Sequence, residues 1–225
     1  MPLALDDLQR QNLISIAAQR HFSAPASQAT GYSELDEALE GGWPETGVIE
    51  ICSPQSIGEL RLLLPALAGS LQRLYVFINP PARINGQALT AQEISLEHIV
   101  VLHLKGLQDQ LWAAETCLAN GACSNVLFWQ SCSLEPHQCK RLKLASDKGN
   151  SRCFILRQRR QKTPMPIDLG LNLQPQSNGV KAHIHKRRLG FPSDHFAISM
   201  AALWPYLVHQ DTQTLQGNYH SKEAL

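Results

Sequence analysis

The chain has 225 residues, 44% of them hydrophobic, with 20 Lys and Arg against 19 Asp and Glu. That length and apolar content suit one sizeable α/β domain with short appendages, and no run approaches the ~18 apolar residues of a membrane span. The start, Met1-Pro2-Leu3-Ala4-Leu5-Asp6-Asp7, is acidic early and lacks a signal-peptide charge pattern, so the expected location is cytoplasmic. Six cysteines (Cys52, Cys117, Cys123, Cys132, Cys139 and Cys153) are scattered without Cys-x-x-Cys or zinc spacing, which reads as buried thiols.

In chain order, residues 1–29 read as an N-terminal helix and linker. Leu5, Leu8, Leu13, Ile16 and Ala17 form a helical stripe over residues 5–20, which either folds onto its own core or docks on a neighbour; residues 21–29 are a Ser/Ala/Pro/Gln linker. Residues 30–199 form the core. A short helix is predicted over 33–39, a strand over 48–52, and a helix over 59–73 in which Pro65 causes a kink. A strand at 74–78 precedes a short helix at 90–97, with Thr90 as N-cap and Glu93 completing a capping box. Then come a strand at 99–104, a helix at 108–119, a strand at 126–129, a helix at 135–148 ending at Gly149, and a strand at 153–157. Short apolar strands alternating with helices imply a mainly parallel central sheet flanked by helices on both faces.

Beyond that strand the pattern changes. Residues 157–167 make a basic, Pro-containing loop. Residues 168–190 read as a C-terminal β-hairpin, with strands at 169–173 and 180–186, and 196–199 is one more strand. His183 and His185 alternate on the second hairpin strand and share a face; without a third ligand nearby they read as strand residues, not as a metal pair, and no metal site is expected. Residues 200–225 are a tail whose Leu203-Trp204-Pro205-Tyr206 piece packs internally or docks a partner. Charge is uneven. Residues 1–147 carry nine Lys/Arg and fifteen Asp/Glu, whereas 148–193 carry ten Lys/Arg and only Asp168, which hints at an anion-binding face or an acidic partner.

The segment Ser53-Pro54-Gln55-Ser56-Ile57-Gly58-Glu59-Leu60 lies between a predicted strand and a helix, where a phosphate-binding loop belongs. That loop needs Gly, four residues, Gly, Lys and Ser/Thr, so that backbone N–H groups, a cation and a hydroxyl meet phosphate and Mg²⁺. Here Ser53 replaces the first Gly, Gly58 is kept, Glu59 replaces the Lys and Leu60 the hydroxyl. At ~4 Å two unit charges interact by about 4 kcal/mol near a protein surface, so exchanging the cation for Glu59 turns attraction into repulsion. No nucleotide cofactor is expected.

Upstream, Thr30-Gly31-Tyr32-Ser33-Glu34-Leu35-Asp36 followed by Gly41-Gly42-Trp43-Pro44-Glu45-Thr46-Gly47 resembles the lead-in to RecA-type ATPase cores. Gly58-Glu59-Leu60, Leu62 to Leu67, Tyr75 to Pro81, Asp109 to Gly121, Val126 to Gln130 and Gly149 to Arg157 resemble the ImuA family, RecA-like accessory proteins of bacterial translesion synthesis. Several of these are shared with SulA, the SOS cell-division inhibitor, over roughly residues 60–157. The resemblance implies a RecA-like core. In such cores a Glu follows the next strand, where this chain has Asn79-Pro80-Pro81, and an Asp ends the Walker B strand, where this chain has Gln130-Ser131. Three losses together imply a pseudo-ATPase and no enzyme.

The resemblance further implies a non-catalytic role in SOS-induced translesion synthesis and mutagenesis, with nucleoid association when active. The implied partners are an ImuB-type Y-family polymerase-like protein, an error-prone replicative-type polymerase subunit and RecA itself. DNA is a further one, through Arg157, Arg159, Arg160 and Lys162, which correspond to RecA's DNA-contacting loop. A solvated polar loop is the competing reading, and no aromatic is present there for base stacking. Lys186, Arg187 and Arg188 end the hairpin strand and are expected to meet the acidic stretch 34–59 of another protein or of this one. The alternative function is a SulA-like inhibitor that binds the tubulin-like division protein FtsZ.

Overall fold

Runs such as Gly47-Val48-Ile49-Glu50-Ile51-Cys52 and Arg152-Cys153-Phe154-Ile155-Leu156-Arg157 are buried at every position, as strands covered on both faces must be. The computed structural model of the chain describes residues 26–54, 58–68, 73–160, 163–188 and 191–205. The expected helix at 5–20, Lys162 and the tail from residue 206 lie outside them. Ten strands are found among the described residues: β1 (Ser27–Gln28), β2 (Trp43–Pro44), β3 (Gly47–Cys52), β4 (Leu74–Ile78), β5 (Ile99–Leu102), β6 (Cys123–Trp129), β7 (Arg152–Arg157), β8 (Leu169–Gln176), β9 (Gly179–Arg187) and β10 (Phe196–Ser199). The helices are α1 (Ser33–Leu39), α2 (Leu60–Leu67), α3 (Gly86–Thr90), α4 (Leu107–Ala119) and α5 (Pro136–Gly149).

Eight strands form one sheet in the order β10-β9-β8-β3-β7-β6-β4-β5. From β8 to β5 every pairing is parallel, and β9 and β10 add an antiparallel edge. Side chains alternate across it. Ile49, Ile51, Phe77, Leu127 and Phe154 pack on one face with Leu62, Leu63 and Leu67 of α2, while Val48, Val76, Val126 and Ile155 pack on the other with Leu111 and Leu118 of α4 and Leu142 of α5. The result is α/β with a mostly parallel mixed sheet between helical layers. Strand β3 sits between β7 and β8. After β3 the chain builds β4 to β7 on one side and then crosses to β8 on the other. Such a reversal leaves a crevice at the carboxyl ends of the strands, and the loop from Ser53 opens there.

The segment before β3 is fastened to α2 by a chain of hydrogen bonds. Pro65 lies inside α2 and has no N–H to offer the carbonyl of Arg61. The Tyr32 hydroxyl donates to that carbonyl at 2.8 Å, and Trp204 Nε1 donates to the Tyr32 oxygen at 3.0 Å. Gly31, with φ of 90°, brings the backbone so close that a Cβ would stand 2.5 Å from the Pro65 Cβ, a contact only glycine allows. Asp36 accepts from the Thr30 N–H at 2.7 Å. The Thr-Gly and Leu-Asp of this region therefore clamp the first crossover helix, and Trp204 is packed internally.

Several expectations change. The helix expected over 59–73 is α2, which ends at Leu67 with Ala68 as its C-cap, and Cys132 is exposed and Cys117 half-buried, where all six thiols were expected to be buried. The helix expected at 90–97 is instead α3, which ends at Thr90; Asn85 caps it, accepting from Gln87 and Ala88 N–H at 3.0 and 3.2 Å, and Thr90 donates its hydroxyl to Gly86 O. Asn is among the strongest N-caps, and here it outcompetes Thr90. The linker over 21–29 contains β1, paired antiparallel with β2.

Candidate functional site

At the carboxyl end of β3, the Ser53 N–H donates to Arg157 O at 2.9 Å and the residue is buried. Residues 55–57 lie outside the described residues. Gly58 has φ of 79°, and a Cβ on it would stand 2.5 Å from Arg61 Nε, so a guanidinium lies over this glycine. Glu59 caps α2 with helical angles and no side-chain cap bond, and Leu60 begins the helix. A strand–loop–helix arrangement is thus present in which the cation over Gly58 is Arg61, while positions 59 and 60 carry a carboxylate and an apolar side chain.

The two neighbouring positions are committed to backbone. Asn79, at φ of 52°, donates from its amide to Leu104 O at 2.8 Å and accepts from Leu104 N–H at 2.7 Å, tying the ends of β4 and β5 together. Gln130 is buried; its backbone N–H donates to Leu156 O and its Oε1 accepts from Cys132 N–H, both at 2.9 Å. A carboxylate at 79 could accept but not donate, so the amide chemistry suits the clip it makes.

Sequence reasoning missed a buried charge cluster beside this crevice. Glu50, mid-β3, lies 3.4 Å from Arg157 Nε on β7 and 3.5 Å from His185 Nε2 on β9; all three side chains are at most 5% exposed. Glu50 pairs in register with Gly170 of β8, and a Cβ on Gly170 would stand 2.4 Å from His185 Nε2. The missing side chain lets the imidazole cross β8 and reach β3. Burial pushes the Glu50 carboxyl up, but the His185 hydrogen bond and the Arg157 charge outweigh it, holding it below the usual range. Burial, and then the Glu50 charge, push the thiols of Cys52 and Cys139 each up to about 12. Neither is a nucleophile at neutral pH, since the thiolate is the reactive form. The available signal was a Glu inside an otherwise apolar strand, which requires partners when buried.

The cations singled out in the sequence take different roles. Arg157 belongs to β7 and is 8% exposed, turned inward on Glu50, so the exposed loop begins after it. Arg159 and Arg160 are exposed. Lys186 donates to Met165 O. Arg187 reaches Ala38 O and Leu39 O at 3.3 Å and the Glu40 carboxylate at 3.1 Å, placing a cation on the C-terminus of α1, where the helix dipole favours it. It therefore meets the acidic stretch of its own chain. Arg188 is largely exposed, 3.7 Å from Asp168, and Asp168 also binds Lys143 and accepts from Val48 N–H.

Among the described residues no group of three or more His, Cys, Asp or Glu could hold a metal ion, and no helix is long and apolar enough to cross a membrane. No family model matches the chain, and no curated protein matches it. Among solved structures, half of the chain aligns with 98% of the crystal structure of SulA from Pseudomonas aeruginosa, at 22% identity and a TM-score of 0.41.

Proposed function

We propose that this chain is a non-catalytic, RecA-like accessory protein of SOS-induced translesion DNA synthesis, which recruits or regulates error-prone polymerases through protein–protein contacts. The resemblance to the ImuA family supplies the biological role. The observation that carries the pseudo-ATPase reading is the joint state of three positions at the carboxyl ends of β3, β4 and β6. Glu59 and Leu60 stand where a cation and a hydroxyl belong, Asn79 is tied to Leu104, and Gln130 is tied to Cys132. A phosphoryl-transfer site works by positioning and charge stabilisation, and these positions lack the Lys, the Ser/Thr hydroxyl and the two carboxylates that such a site uses. All three lie at the same, carboxyl edge of the parallel strands, the edge at which an α/β sheet binds ligands.

The role expected of this surface is recognition by partners without an ATP cycle, with an ImuB-type polymerase-like protein and an error-prone replicative-type polymerase subunit as the first two and RecA as a third. Direct DNA contact through Arg159 and Arg160 belongs to the same reading. Phosphate release from Mg-ATP, with and without single-stranded DNA, tests the non-catalytic half. The expected result is background release in both cases; DNA-stimulated turnover would overturn it.

A further inference from the structure

Among the described residues the sheet is covered on both faces only over part of its width. In β8, β9 and β10, Leu171, Leu173, Val180, Ala182, Ile184 and Ile198 are buried on the face shared with α1 and α2. On the opposite face the side chains alternate outward and reach solvent: Lys181 and His195 are exposed, and Asn172 and His183 are half-buried. Register puts these residues in rows. Asn172 pairs with His183, and Cys52 of β3 pairs with both Asn172 and Arg157, so one row runs from the carboxyl end of β7 across the sheet. The β9–β10 pairing brings Phe196 opposite Ala182, and the next step places His195 beside His183. Their imidazoles stack, with centroids 4.7 Å apart and planes 28° from parallel.

Charge on this face has one dominant sign. Lys181 points outward, Arg159 and Arg160 are exposed on the loop that leaves β7, and Asp194 is the acid closest to the imidazoles. Arg157 ends β7 at this row, so Arg159 and Arg160 follow directly on the loop that leaves the sheet there. Glu50 is consumed by Arg157 and His185 underneath. Lys181 on this face and two arginines on the adjoining loop, beside a π-stacked pair, offer phosphate neutralisation and a ring face together, the combination by which proteins hold unpaired bases.

We infer that the open face of β8, β9 and β10, with Arg159 and Arg160 along its rim, binds single-stranded nucleic acid: Lys181 and the two arginines hold phosphates, and the His183–His195 stack receives a base. This rests on the DNA-contact part of the proposed function and moves the stacking element from the loop, which has none, to the sheet. Burial and the charges of His195, His185 and Arg160 hold His183 below the ordinary imidazole range, with Asp194 opposing. A phosphate beside His183 favours its protonated form, so binding tightens in acid, while Arg157 stays paired with Glu50.

The test is fluorescence anisotropy of a labelled oligo-dT strand with the full chain. Its arms are Lys181→Glu/His195→Ala, Arg159→Glu/Arg160→Glu, and a charge control on exposed positions of α5, Lys140→Glu/Lys148→Glu, each checked for an unchanged melting temperature. The expected result is about tenfold or greater weakening in the first two and a salt slope smaller by about one per cation removed, with the control near wild type. On a strand of abasic sites, His195→Ala alone should have no effect. Loss with the loop variant but not the sheet variant overturns the platform and leaves DNA contact by the loop standing. Equal loss with the control, tighter binding of duplex than of single strand, or binding of polyglutamate in place of oligo-dT also overturns it. None of these outcomes bears on polymerase recruitment, which is read in a separate assay.

Discussion

Replacing Glu50 by Gln isolates the charge of the buried cluster. The side chain keeps its volume and an acceptor oxygen, but Arg157, 3.4 Å away and 5% exposed, and His185, 3.5 Å away and 3% exposed, lose their carboxylate. Breaking a buried pair from one side costs about 3–5 kcal/mol, because the remaining charge stays desolvated; with an amide still accepting a hydrogen bond, about 3 kcal/mol is expected. For a domain of this size that is a fall in melting temperature of about 6–12 °C. Urea unfolding at pH 7 reads it as a lower midpoint with an unchanged slope. The pH dependence has a definite sign. The carboxyl of Glu50 is held below its ordinary value of 4.5 in the folded chain. Its stabilisation is therefore present above that value and lost as pH falls through the folded one, so the gap between wild type and Glu50→Gln narrows in acid. A gap under about 0.5 kcal/mol at pH 7, which is typical of surface substitutions, would refute the cluster as a stabilising unit.

Tyr32→Phe leaves the Arg61 carbonyl and Trp204 Nε1 without the hydroxyl that joins them; a loss of about 1–3 kcal/mol is expected in urea titration. Restoring the cation and hydroxyl with Glu59→Lys/Leu60→Thr is expected to leave phosphate release at background, because Asn79 and Gln130 supply no carboxylate; turnover in that variant would show that the three losses are not independent.

Much of the fold was legible because it is local. Buried strands such as β3 and β7 are short apolar runs with β-branched residues, and α5 ends at the Gly that its pattern announces. Failures came where distant residues decide. A five-residue helix carries too little periodicity to locate, and its cap at Asn85 had to be weighed against Thr90. Arg157 ends an apolar run and so read as the start of a loop, whereas its partner Glu50 lies far away in sequence and is brought beside it only by the β3–β7 register. Likewise, the alternation of His183 and His185 fixes their common face, but their different partners, His195 and Glu50, depend on strand pairing. That Glu59 and Leu60 supply neither a cation nor a hydroxyl is a matter of residue type and can be read without a structure. The hydrogen bonds that occupy Asn79 and Gln130 were not legible, because both reach backbone set by neighbouring strands.

Partner recognition without an ATP cycle is the proposed role of this chain. The direct measurement is affinity capture of the full chain from DNA-damaged bacterial cells, with bound proteins identified by mass spectrometry and binding repeated with purified components. The expected catch is a Y-family polymerase-like protein, retained without added nucleotide and unaffected by ATP. Capture of the tubulin-like division protein in its place, with filamentous growth on overexpression, would contradict it.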